Sequence, residues 1–144
     1  MAISKSYQSL THPVSLTWVA AMLIIRDEQI EALSQYMQNR FEDRMVTHLN
    51  RYFHDACETL GEDLLRQTIR YGIIKAKMFS FHIENDVSRY LNLMFTFGRD
   101  FDTDPDLRWA AQILKNDDLI STHKMDVLYD EAAKRMPKSA RTSL

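Results

Sequence analysis

A chain of 144 residues is a one-domain length. At 45% hydrophobic and 26% charged residues its composition argues against an intrinsically disordered chain and a membrane-spanning one. Three glycines and three prolines are too few for the turns of an all-β sandwich or barrel, and a net charge of −2 supplies no global field to recruit nucleic acid or an anionic membrane.

Residues 1–21 are rich in Ser and Thr without a helical period, and they read as an N-terminal appendage to a helical domain over 22–136. The apolar run from Val14 to Ile25 falls short of the roughly 20 residues a spanning helix needs. Lys5 ahead of that run would suit a signal peptide, but Arg26, Asp27 and Glu28 follow it without a small-residue cleavage pattern. Such an apolar stretch needs cover from the domain or from a second copy of the chain, so a homo-oligomer through residues 14–25 is one expected arrangement.

From Asp27 the pattern becomes helical. Ile30, Leu33, Met37, Phe41, Met45 and Leu49 recur at three and four residues, which predicts one long amphipathic helix to about Phe53 with Asp27 as its N-cap. A short helical turn over 55–59 follows. Thr59 and Glu62 then have the spacing of a capping box, so a second helix is expected near Leu60. Gly72 sits inside that helix, where it costs about 1 kcal/mol relative to alanine, and a close helix crossing would account for it.

Residues 79–83 lose the period and form a connection. Val87, Tyr90, Leu91, Met94 and Phe95 mark a third helix that ends at Gly98. Asp104-Pro105 is an N-cap acid followed by proline at the first helical position, and it opens a short fourth helix. Ser121 or Thr122 can cap a last helix that Met136-Pro137 ends, leaving 137–144 as a disordered tail. The expected fold is all-α, a single-domain bundle of about five helices with a long first helix.

Few constellations carry chemistry. Asp100, Asp102 and Asp104 alternate like the first ligands of a calcium loop, but Pro105 and Ala111 stand where that loop needs glycine and glutamate. Asp104 is better read as a helix cap. The five histidines form no pair at metal-ligand spacing, so a small metal-dependent enzyme would have to gather His54, Asp55 and His82 in space. Cys57 is the only cysteine, which excludes an intrachain disulfide, fits a cytoplasmic setting and reads as a small buried hydrophobe. No phosphate-cradling loop or nucleophile elbow occurs, and no catalytic residue, metal or cofactor is expected.

The surface is more informative. Arg40, Arg44, His48 and Arg51 follow at four, four and three residues and make a basic stripe beside the apolar one. Between Asp100 and Glu131 nine acids face three bases, and the tail after Glu131 carries four bases. The stripe, with Asp100 and Asp102 of the acidic loop, is the candidate partner-binding set.

Several stretches carry a resemblance. They are Phe41-Glu42-Asp43-Arg44-Met45-Val46, Cys57 with Leu60-Gly61-Glu62, Tyr71-Gly72-Ile73, the run from Asp86 to Phe95, and the run from Phe97 to Pro105 followed by Trp109-Ala110. Over about 22–133 the chain resembles small helical accessory proteins encoded beside PAAR-repeat, VgrG and lysozyme-like genes in bacterial type VI secretion clusters. The resemblance implies a non-enzymatic adaptor or chaperone that binds a secreted effector or spike protein, or an immunity protein that neutralises a neighbouring effector. It carries over no catalytic residue.

Overall fold

The computed structural model describes the backbone of residues 13–138 and the side chains of residues 27–138. Its elements are α1 (Pro13–Tyr52), α2 (His54–Met78), α3 (Glu84–Phe97), a 3-10 turn (Pro105–Leu107), α4 (Arg108–Leu114) and α5 (Ser121–Arg135), with no strand among the described residues. This is the all-α bundle of about five helices, opening on a long one, that the apolar spacing predicts. Among the described residues no helix is long and apolar enough to cross a membrane. The assignments to residues 1–12 and 139–144, and side-chain contacts of residues 14–25, lie outside the described set.

Contacts divide the chain into a first unit, Met1–Arg40, and a second, Phe41–Leu144. In the first unit every described side chain, from Asp27 to Arg40, is exposed. Among the described residues the hydrophobic core belongs to the second.

α1 starts at Pro13, ahead of the expected start at Asp27, and continues through Met22, where the change of sequence style places the beginning of the helical domain. Proline suits the first helical position, and no glycine or proline interrupts the chain between Val14 and Asp27. Asp27 is therefore interior and caps nothing. Further along, Phe41, Met45 and Leu49, four residues apart, are buried in the second unit.

Phe53 leaves the helical region at φ −131°, ψ 45°, and α2 follows at once. Within α2 the backbone breaks at Gly61, with φ 75° and ψ 164°, so a short helical segment over 54–60 precedes the main run over 62–78. The expected capping box does not form: Thr59 Oγ1 donates to the Asp55 carbonyl at 2.8 Å, and the Glu62 carboxylate receives Arg66 Nε at 3.1 Å. Glycine supplies the break because the conformation is one that residues with a β-carbon avoid.

α2 packs chiefly on α3, and α3 and α4 each pack on α5. At the α2–α3 crossing, Leu91 and Met94 occupy the space that a β-carbon on Gly72 would need, as the expected close approach requires. α3 carries Glu84 and Asp86 in its first turn, where the helix dipole favours acids, and stops at Gly98. Its Tyr90 ring sits among Phe79, Phe81 and Phe101, at centroid distances of 6.2, 6.2 and 5.1 Å.

Asp104 does cap, its side chain accepting from the Asp106 amide at 2.9 Å, although a 3-10 turn intervenes before α4. α5 is capped by neither Ser121 nor Thr122. Ile120 stands at its N-cap, and the Thr122 hydroxyl instead donates to Asp86 Oδ2 at 3.2 Å, tying α5 to α3. Buried Lys124 sends its Nζ to the Leu114 carbonyl at 3.1 Å, satisfying the last carbonyl of α4 from α5.

Candidate functional site

The break at Gly61 sets two pieces of α2 at an angle, and Cys57, buried in the core, pins the short one. Between these pieces and α3 lies an open-sided groove of about 540 Å³. Met94 and Phe95 of α3, with Ala56 and Leu60 of the short segment, give it an apolar lining. Thr59 and Thr68 add hydroxyls, but each is already committed to a backbone carbonyl one turn back, at 2.8 Å from Asp55 and 2.8 Å from Leu64. Asp55 and Arg99, both exposed, place opposite charges on the rim.

Arg99 is held in place. Its guanidinium carbon lies 4.1 Å from the centre of the Tyr71 ring, and the Tyr71 hydroxyl donates to Asp100 Oδ1. That bond to a carboxylate, together with burial, raises the Tyr71 hydroxyl above its ordinary pKa. A stacked arginine loses less freedom on engaging a partner than a free one. The groove thus combines an apolar floor with a positioned cation, a volume within the ordinary range for binding clefts.

The residues singled out from sequence are dispersed. Arg40 belongs to the first unit, where its Nη1 donates to the Tyr36 hydroxyl at 2.9 Å. Arg44 pairs with Glu84 at 2.5 Å, His48 Nε2 is 2.9 Å from Asn92 Oδ1, and Arg51 lies over the Tyr52 ring at 5.5 Å. Two members of the stripe thus reach across to α3 and are occupied within the second unit. The acids next to the stripe are occupied elsewhere: Glu42 is buried beneath α2, where Arg70 grips it through two bonds of 2.8 and 3.0 Å and Arg66 adds a third of 3.1 Å. Burial pushes the Glu42 carboxyl up, but the two guanidinium groups outweigh it and hold the carboxyl below its usual range.

Of the acidic loop, Asp100 is exposed at the Tyr71 hydroxyl, whereas Asp102 is 2% exposed and paired with Lys75 at 2.6 Å. Asp102 is therefore an interior ion pair and out of reach of a docking partner. Its pairing with a residue on another helix is long-range information that loop composition does not carry. No group of three metal-ligating side chains occurs among the described residues, so His54, Asp55 and His82 are not gathered in that way. Cys57 is buried, and burial pushes its thiol up, away from nucleophilic character.

Ala56, Leu60, Phe95 and Arg99 were not legible as a site. The signal present was an apolar pair one turn apart, Ala56 and Leu60, the second directly before a glycine in a chain with only three. Compared with protein-family models, with curated proteins and with solved structures, the chain matches none.

Proposed function

We propose that this chain is a non-enzymatic protein-binding accessory, an adaptor or chaperone, that holds an apolar, charge-flanked segment of a protein partner in the groove between α2 and α3. The supporting observation is the groove itself: an apolar floor of Met94, Phe95 and Leu60, with Asp55 and the Tyr71-stacked Arg99 at its edge. The two threonine hydroxyls of the lining are committed to backbone carbonyls. A helix or extended strand carrying one or two large apolar residues between an acid and a base fits such a surface. The resemblance of the stretches over 22–133 to type VI accessory proteins supports a secreted effector or spike protein as that partner.

Co-expression with the effector or spike protein encoded beside the gene, followed by co-purification, tests this. The wild-type chain is expected to retain its partner. Ala56→Arg fills the groove from an exposed helical position and Arg99→Glu reverses its rim; both are expected to release the partner while circular dichroism stays unchanged. Retention by Ala56→Arg, or no retention by the wild type, would overturn the reading.

A further inference from the structure

Residues 54–60 join the rest of the second unit at two points where the helix is interrupted. Phe53 stands at φ −131°, ψ 45° and Gly61 at φ 75°, ψ 164°. The chain is anchored beyond both: the Phe53 ring packs on the core, 5.7 Å from that of Phe95, and Leu65 is buried in the main run of α2. Between them Cys57 alone is buried, with Leu60 half-buried. The polar side-chain contacts of the segment among the described residues, Thr59 to the Asp55 carbonyl and His54 to Glu58, stay within it. Space also surrounds the second interruption, since nothing lies within 4 Å of a β-carbon built on Gly61. A short helical piece between two hinges, held by one small apolar side chain, is where local opening is easiest.

We propose that residues 54–60 form a hinged flap that swings about Phe53 and Gly61, opens the groove wall made by Asp55, Ala56, Thr59 and Leu60, and closes on an occupant. The closing on an occupant rests on the groove holding a partner segment, whereas the swing does not. Opening withdraws Cys57 from the core, so the single thiol of the chain reports it.

Labelling of the free wild-type chain with an aromatic disulfide reagent, over a range of low urea concentrations, provides the test. Cys57 is expected to react about a hundredfold or more faster than global unfolding permits, and almost independently of urea, because the swing exposes little surface. Gly61→Ala is expected to speed labelling about tenfold, since opening relieves a backbone conformation that alanine resists. Labelling with the rate and urea dependence of global unfolding overturns the flap, and the wild type decides this even if Gly61→Ala does not fold. A folded Gly61→Ala that labels at the wild-type rate also overturns it, because the reagent then reaches Cys57 without a swing. In the complex with a co-purified partner, labelling is expected to slow by about tenfold or more, as the occupant bridges the flap and α3. An unchanged rate in that complex overturns the closing. No complex at all overturns the closing together with the binding reading, while labelling of the free chain decides the swing by itself.

Discussion

A β-carbon on Gly72 would stand 2.3 Å from Leu91 Cδ2 and 2.7 Å from Met94 Sδ. Leu91 and Met94 are both buried, at 0 and 3% exposure, so neither can swing out to make room. Helix propensity alone favours Gly72→Ala by about 1 kcal/mol. Overpacking a closed core costs roughly 1–3 kcal/mol, which outweighs that gain. Urea unfolding is expected to give a net loss of up to about 2 kcal/mol for Gly72→Ala, with an unchanged m-value.

Gly61 is the opposite case. Nothing lies within 4 Å of a β-carbon built there, so space permits a side chain. The backbone does not: φ 75° with ψ 164° belongs to a region that only glycine occupies readily. Gly61→Ala is expected to lose about 1–3 kcal/mol in urea unfolding. Because the break at Gly61 also opens the groove, the same variant should release a groove-bound partner more than Gly72→Ala does.

These two glycines mark how far the sequence could be read. At Gly72 the apolar period fixed the buried face, so a glycine on that face implied a close neighbour. Around Gly61 the local pattern was read through Thr59 and Glu62 as a capping box, and the structure uses those side chains elsewhere because the glycine alone supplies the break. Asp104 and Pro105 were legible because a cap acts within two residues. Glu42 beneath Arg66 and Arg70, and Asp102 on Lys75, were not, since those pairs join segments more than 20 residues apart and their spacing has no period. The groove was invisible for the same reason. It exists only once α3 is laid beside both pieces of α2.

Glu42 makes stability depend on acid. Its folded carboxyl is held below the ordinary value of 4.5, so the unfolded chain takes up the proton first as pH falls. The stabilisation is therefore fully present above about pH 4.5 and is lost as pH drops through the lowered folded value. Glu42→Gln is expected to cost about 2 kcal/mol at pH 7, the worth of charge-assisted hydrogen bonds, and to flatten the acid limb of the stability profile below pH 4. Urea midpoints across pH 3–7 for both chains would check this, and parallel acid limbs would show that Glu42 does not carry it.

Two of the tyrosines with raised values, Tyr129 and Tyr90, bear on alkaline stability, and their hydroxyls differ. Burial pushes Tyr129 up to about 12 against the opposing pull of Arg89, whose guanidinium stacks on its ring at 4.3 Å, and its hydroxyl donates to the Arg89 carbonyl at 3.0 Å. Burial likewise pushes Tyr90 up, and its hydroxyl has no hydrogen-bond partner among the described residues. Raised folded values mean that the unfolded chain ionises first, near pH 10, so stability is complete below pH 10 and falls as pH rises toward 12. Absorbance at 295 nm should then report both phenolates only together with loss of helical circular dichroism. Phenylalanine substitutions separate the two residues. Tyr129→Phe deletes a made hydrogen bond and is expected to cost about 1 kcal/mol at pH 7, whereas Tyr90→Phe deletes a buried, unpartnered hydroxyl and should leave stability unchanged or raise it by up to about 1 kcal/mol. A clear loss for Tyr90→Phe in urea unfolding would mean that its hydroxyl is bonded in solution.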